Sequence, residues 1–160
     1  MTTVYVEKKD YEQVIRSAWS SDEDLIKKYH IKSGHGIDAC VSDTLKVLDS
    51  GTYDDFKLFK VFYDDSEIGF IGIETFQKKP FLTTFFLYPE YRNNTIKDNY
   101  IDFLFNFVGT EFNTALYTKN IRAINWFKKN GATEILLKNG DYDVSLLNLK
   151  KKNRLCQCHQ

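Results

Sequence analysis

Two kinds of hydrophobic spacing divide the sequence, and the change between them constrains the fold most. The chain opens with a strand-like run at 2–8, in which Val4 and Val6 alternate with polar neighbours. From residue 10 to about residue 50 the apolar residues recur every three or four positions, which predicts amphipathic helices. Three strand-like runs then follow one another at 56–63, 67–76 and 81–88, separated by short polar turns. Such spacing is typical of an antiparallel meander. The middle run alternates little, so we expect a strand that is covered on both faces.

The third run stops at Pro89, and a helical pattern begins a few residues later. Its apolar positions are Ile96, Tyr100, Phe103, Leu104 and Phe107. Another strand-like run follows at 112–118. Because a helix joins 81–88 to 112–118, these two strands are expected to be parallel neighbours.

A helix after Asn120 and a closing hairpin with strands at 133–138 and 142–149 complete the order β-α-α-β-β-β-α-β-α-β-β. We predict an α/β (α+β) fold with a mixed sheet of about six to seven strands. The sheet would combine an antiparallel meander with one parallel pair, and four to five helices would cover it. The length of 160 residues predicts a single domain over 1–150, followed by a basic C-terminal tail at 151–160.

Charge and composition exclude several classes of function. Lys plus Arg and Asp plus Glu number 22 each, so no bulk field attracts nucleic acid or an anionic membrane. No apolar run has membrane-spanning length, and no signal segment is expected. Three irregularly spaced cysteines fit a reducing compartment, so we expect a cytoplasmic protein. A surface of zero net charge leaves a homo-oligomer or larger assembly open.

The tail contains Cys156, Cys158 and His159. Three ligands near a chain end make a poor closed metal site. We therefore predict no metal centre and interpret the tail as solvated or as a partner-contact arm.

Two sequence blocks, FFLYPEYRNNTIKDNYIDFLF (85–105) and NIRAINWFKKNGA (120–132), carry a resemblance. Together with the element order, they resemble the GNAT superfamily, the Gcn5-related N-acetyltransferases. The resemblance implies an acyl-CoA-dependent N-acyltransferase. Acetyl-CoA would be the co-substrate, and a primary amine on a small molecule or a protein would be the acceptor.

In that family the turn after the third meander strand reads Gln/Arg-x-x-Gly-x-Gly/Ala, and its amides hold the CoA diphosphate at a helix start. Here Arg92 matches the first position, whereas Thr95 and Lys97 stand where small residues belong. Thr95 is β-branched and is expected to resist the dihedral angles that glycine supplies. The resemblance implies cofactor contacts from Leu87, Arg92, Asn93, Asn94, Thr95, Ile96, Lys97 and Asn120.

Two interpretations of this turn are open. In the first, the anion site persists in altered form, with Arg92 and Lys97 as charge partners and the Thr95 hydroxyl as a donor. In the second, it is an ordinary helix start that Asn94 or Thr95 caps. Asn120 is likewise open, as a cofactor contact or as a helix cap.

The catalytic residues depart from the family pattern. The tyrosine that reprotonates the CoA thiolate falls at Phe127, which has no hydroxyl and most simply belongs to the core. Glu74 is the best candidate for the base that accepts the amine proton, although a charge at a strand end is the plainer interpretation. His35 is either a second base or an ordinary loop histidine. Tyr117 and Tyr88 either replace the missing acid or are packing residues whose hydroxyl groups are solvated.

The same departures fit a non-catalytic GNAT-fold protein with a structural or interaction role. The abundance of Lys, Asn, Tyr and Phe is typical of an AT-rich genome such as a phage's. The protein would then act in the host cytoplasm or the virion. We favour the transferase, because a loop can bind phosphate through its amides without its usual glycines.

Overall fold

The computed structural model describes residues 1–22, 24, 36–49, 55–136 and 144–152. The strands are β1 (Thr2–Val6), β2 (Lys57–Tyr63), β3 (Ser66–Phe76), β4 (Lys79–Leu87), β5 (Glu111–Tyr117), β6 (Thr133–Leu136) and β7 (Val144–Lys150). The helices are α1 (Tyr11–Ser21), α2 (Ile37–Asp49), α3 (Asn94–Phe107) and α4 (Ile121–Lys129). Short 3₁₀ turns lie at Lys8–Asp10 and Pro89–Tyr91.

The strands form one seven-stranded sheet in the order β1-β2-β3-β4-β5-β7-β6. Among these described strands, only β4 and β5 pair in parallel; the other neighbours are antiparallel. Within the described residues there are four α-helices. The predicted fold class, including the meander and the single parallel pair, is confirmed. The predicted hairpin turn at 139–141 and residues 153–160 of the tail lie outside the described residues, and the domain limits stay predictions.

The turns of the meander are two residues long. Asp64 and Asp65 have φ of 47° and 64°, and Gln77 and Lys78 have φ of 51° and 64°. Two successive positive φ values match the right-handed twist of paired strands, which explains how these tight hairpins close.

Strands β4 and β5 separate soon after they meet. Their parallel pairing covers only Phe81 with Asn113 and Leu82 with Thr114, and the Thr114 hydroxyl donates to the Leu82 carbonyl at 2.9 Å. The β3–β4 register shifts at this level, so that Thr83 is an extra, bulged residue. Strand β5 stays paired with β7 along its whole length. Beyond these two pairs β4 and β5 have no ladder pairing, and we call this unpaired stretch between them the gap.

Two hydrophobic cores cover the sheet. On one face α1 and α2 contribute Val14, Ile15 and Val41, which pack with Leu58 and Phe70. On the other face α3 and α4 contribute Tyr100, Leu104 and Phe127, which pack with Ile71, Phe112 and Leu147. Strand β3 supplies residues to both cores, as its sequence predicted. Cys40, on α2, is fully buried.

Candidate active site

The turn between β4 and α3 has a cap one residue earlier than predicted. Asn93 is extended, with φ −113° and ψ 166°, and its side chain accepts a hydrogen bond from the Ile96 amide at 3.0 Å. The prediction that Asn94 or Thr95 caps the helix is therefore wrong. Both residues already lie inside the first helical turn.

Three backbone amides at this helix start remain open. The Arg92 amide donates to Pro89 O at 3.2 Å, and the Lys97 amide donates to Asn93 O at 3.0 Å. The Ile96 amide is capped, so the amides of residues 93–95 are left without a hydrogen-bond partner among the described residues. They lie at the positive end of a 14-residue helix. The amides of residues 92–97 were predicted to be available to a ligand, and those of residues 93–95 are the ones that remain without a partner in the described structure.

The absence of glycine does not strain this turn. Every residue from Tyr88 to Lys97 has a negative φ. Thr95 is helical, so this turn does not require the dihedral angles that a β-branched residue resists. The space that the Thr95 and Lys97 side chains occupy is the remaining difference from the family pattern.

Arg92 is bound within the protein. Its Nε donates to Leu87 O at 2.8 Å, and its Nη1 lies 2.7 Å from Asp22 Oδ2. The guanidinium also lies 5.3 Å from the centre of the Phe86 ring. A phosphate would have to share Arg92 with Asp22. Lys97 forms no ion pair within the described part of the chain, so its charge is available beside the open amides.

Two β4 amides point into the gap. The Tyr88 amide donates to Ile68 O on β3 at 2.8 Å. Because backbone groups alternate along an antiparallel strand, the N–H groups of Phe85 and Leu87 point away from β3, toward the gap. The Leu87 carbonyl has the same direction, since it accepts from Arg92.

An aromatic cluster lies on the α3–α4 side of the gap. The Phe85 ring stacks on Trp126 at 5.8 Å and 11° and contacts Phe127 at 5.7 Å. Tyr100 meets the same ring edge-on at 5.2 Å. Phe127 is fully buried, which confirms its predicted place in the core. The rings line one side of the sheet, whereas the Phe85 and Leu87 amides lie in its plane.

Two buried hydroxyls near β4 have no hydrogen-bond partner in the described ranges. They belong to Thr83, at the bulge, and Tyr100, on α3. The sequence pattern placed Tyr100 in an apolar stripe and did not identify Thr83. A tyrosine at a core position of a helix brings a hydroxyl into the core, and that feature of the sequence could have identified Tyr100. The β-bulge at Thr83 has no comparable feature in the sequence.

Glu74 lies on β3 opposite Phe81 and is only 8% exposed. Its side chain shares the α1–α2 face with Phe70, four residues earlier. Burial raises the pKa of the Glu74 carboxyl, the Thr83 hydroxyl lowers it, and the charge of Asp55 raises it. Thr83 acts here by proximity, since it makes no well-aligned hydrogen bond.

The other predicted site residues are dispersed. The Asn120 side chain accepts from the Ala123 amide at 3.3 Å and caps α4. Tyr117 is exposed at the end of β5. The Tyr88 hydroxyl lies 2.8 Å from Ser17 Oγ on α1, and burial raises its pKa. His35 lies outside the described residues.

A cavity of about 610 Å³ lies between α1 and the start of α2, where Arg16 and Ser20 face residues 36–39. In the described ranges no group of His, Cys, Asp and Glu is arranged to hold a metal. None of the described helices combines the length and apolarity needed to cross a membrane.

No protein-family model matches the sequence, and no curated protein matches it. Among solved structures, an acetyltransferase from Thermus thermophilus aligns over 92% of this chain and 96% of its own, with TM-score 0.66 and 12% identity. A GNAT family acetyltransferase from Bacillus cereus aligns over 95% and 98%, with TM-score 0.57 and 15% identity. The chain has the GNAT fold.

A third structural neighbour is the PaiA N-acetyltransferase from Thermoplasma acidophilum in complex with coenzyme A. It aligns over 94% of this chain and 99% of its own, with TM-score 0.59 and 18% identity. These alignments span nearly the whole chain, so the GNAT resemblance of the two sequence blocks extends to the complete fold.

Proposed function

We propose that this GNAT-fold protein is an acyl-CoA-dependent N-acyltransferase that moves an acetyl group from acetyl-CoA to a primary amine in the cytoplasm. One observation carries the proposal. The open amides of residues 93–95 lie at the start of α3, just beyond the gap into which the Phe85 and Leu87 amides point.

These groups fit the chemistry of acetyl-CoA. Amides at a helix start bind a diphosphate through hydrogen bonds and the helix dipole, and Lys97 adds a charge beside them. The Phe85 and Leu87 amides suit the pantetheine arm and the thioester carbonyl. A donor to that carbonyl stabilises the oxyanion that forms when an amine attacks.

The acceptor amine would approach from the α1–α2 face. Glu74 lies on that face, and burial raises the pKa of its carboxyl, which improves its capacity to accept a proton near neutral pH. The cavity beside Arg16 and Ser20 is on the same side of the molecule. Because Phe127 offers no acid, the reaction would rely on positioning and oxyanion stabilisation.

Asn94→Pro tests the proposal. Proline is well tolerated at the first helical position, and Asn93 before it is already extended. The substitution therefore removes one open amide while leaving the helix intact. Acetyl-CoA at about 100 times its Kd should raise the Tm of the wild type by roughly 5–10 °C. The shift should fall by more than half in Asn94→Pro.

Asn94→Ala is the matched control, because it removes the same side chain and keeps the amide. Its shift with acetyl-CoA should equal that of the wild type, and both variants should retain the Tm of the free protein. An undiminished shift in Asn94→Pro would remove the turn from the binding site. No shift in the wild type at millimolar acetyl-CoA would refute the transferase.

That last outcome would favour a non-catalytic GNAT-fold protein with a structural or interaction role. Two observations support this second candidate. Phe127 places no hydroxyl in the gap, and Arg92 is already paired with Asp22. Both observations are compatible with a GNAT fold that no longer binds acyl-CoA.

A further inference from the structure

Tyr100 carries a buried hydroxyl that the proposed mechanism has not used. Its side chain is fully buried on α3, and its oxygen has no hydrogen-bond partner among the residues that the structure describes. Buried hydroxyls nearly always find a partner, because an unmade hydrogen bond is costly. A phenylalanine would fill nearly the same space without that cost. The hydroxyl therefore suggests a partner that arrives with a ligand.

The surroundings of Tyr100 place it beside the gap. Its ring contacts Phe85 of β4 at 5.2 Å and Phe103 of its own helix at 5.4 Å. Long side chains on a helix lean toward the helix N-terminus, so the hydroxyl is directed toward the start of α3. No described charged group acts on it, and burial alone raises the pKa of Tyr100.

Phe127 connects Tyr100 to the reaction. The GNAT resemblance places the hydroxyl that meets the CoA sulfur at Phe127, which has none. Phe85 contacts both Phe127 and Tyr100, so the two rings approach the gap from different helices. Tyr100 can supply from α3 the hydroxyl that is missing on α4.

We propose that the Tyr100 hydroxyl donates a hydrogen bond to the sulfur of bound CoA. This inference rests on the proposed function. When the amine nitrogen bonds to the acyl carbon, the C–S bond breaks and its electron pair stays on sulfur. The amine proton passes to the base, and Tyr100 keeps its own proton because burial disfavours the phenolate. The thiolate takes a proton from solvent after release.

Contact with the ligand requires a local rearrangement. Tyr100 is fully buried in the ligand-free protein, so the Phe85 ring must turn to admit the sulfur. Phe85 is only half-buried, which leaves room for a change of rotamer.

The test uses coenzyme A itself and needs no acceptor. The thiolate absorbs ultraviolet light, so a pH titration of the complex reports the pKa of the bound thiol. A donated hydrogen bond stabilises the thiolate and lowers that pKa. In Tyr100→Phe the bound thiol should titrate at least about one pH unit higher than in the wild type, a tenfold loss of thiolate stabilisation. The free variant should match or exceed the wild-type Tm.

Two further variants sharpen the result. Tyr63→Phe removes a hydroxyl at the end of β2, two strands from the gap, and should leave the bound thiol unchanged. Adding Phe127→Tyr to Tyr100→Phe returns a hydroxyl from α4 and should restore the low pKa.

A wild-type thiol pKa in Tyr100→Phe, with CoA still bound, would overturn the inference. So would a lower Tm of the free variant together with lost CoA binding, which would indicate a structural role. Failure of the wild type to bind CoA would instead refute the proposed function itself.

Discussion

Thr95 illustrates that dihedral angles decide where glycine is required. Glycine is needed where φ is positive or where a backbone must approach closely. From Tyr88 to Lys97 every φ is negative, so the turn does not need glycine. What the threonine changes is the space beside the amides. The amides of residues 93–95 themselves keep no hydrogen-bond partner among the described residues.

Glu74 is a carboxylate whose protonation is coupled to its burial in the fold. Burial raises the pKa of its carboxyl in the folded state. Such a group favours folding below its unfolded pKa, and this contribution is lost as pH rises through the folded pKa. We therefore expect the wild type to lose stability relative to Glu74→Gln as pH rises from the unfolded carboxyl pKa of about 4.3 toward neutrality. Thermal unfolding of both proteins across that range measures the difference.

Asp55 provides a control of opposite sign. Hydrogen bonds from Thr75 lower the pKa of its carboxyl, so its contribution is present above the unfolded pKa and is lost as pH falls through the folded pKa. The wild type should therefore lose stability relative to Asp55→Asn toward acid. A Glu74→Gln profile parallel to that of the wild type would show that the Glu74 carboxyl is well solvated.

At the scale of elements, the Arg92–Asp22 pair joins the end of α1 to the turn before α3. Asp22 is 13% exposed and Arg92 is 33% exposed, so the pair is partly screened and contributes at most about 1 kcal/mol. Asp22→Asn should release the guanidinium toward a bound diphosphate. We expect the Kd for acetyl-CoA to fall about threefold to tenfold, because charge-assisted bonds to phosphate are strong. Titration calorimetry measures the change.

Asp38→Asn is the matched control, since Asp38 pairs with a different arginine, Arg16, at an exposed position. That variant should leave the Kd unchanged. A Kd that is unchanged or higher in Asp22→Asn would mean that Arg92 takes no part in binding.

The elements could be predicted from the sequence because their periodicity is local. The helix cap could not, since Asn93, Asn94 and Thr95 are all good capping residues. The choice among them depends on where the preceding 3₁₀ turn ends. The β-bulge at Thr83 could not be predicted from the sequence either, because one extra residue in a strand does not produce a recognisable hydrophobic pattern.

The cofactor-binding turn was predicted only as a segment. Pattern and resemblance located the turn at 92–97, but they could not show which amides the protein itself occupies. Which amides are occupied depends on the Asn93 side chain, which caps the helix, and on the 3₁₀ turn at Pro89–Tyr91 that precedes it. The Phe85–Trp126 stack and the orphaned Tyr100 hydroxyl depend on how two helices meet one strand.

At the scale of the whole molecule, the gap divides the sheet into two parts. Strands β1 to β4 lie on one side of it, and β5, β7 and β6 lie on the other. Two residue pairs and the Thr114 hydrogen bond to Leu82 join β4 and β5 directly. Apart from the two edge strands, β1 and β6, each strand has a neighbour on both sides, so the gap is where strands inside the sheet can donate backbone hydrogen bonds to a ligand.

Hydrogen exchange should reveal this division of the sheet. In the free protein the Tyr88 amide, bonded to Ile68, should exchange slowly, whereas the neighbouring Leu87 and Phe85 amides face the gap and should exchange faster. Acetyl-CoA should slow these two and leave Tyr88 nearly unchanged, because only the gap-facing amides gain a partner. Residue-resolved exchange by NMR measures all three. If Phe85 and Leu87 were as slow as Tyr88 without ligand, the gap would be closed by the protein itself, and pantetheine could not pair with β4.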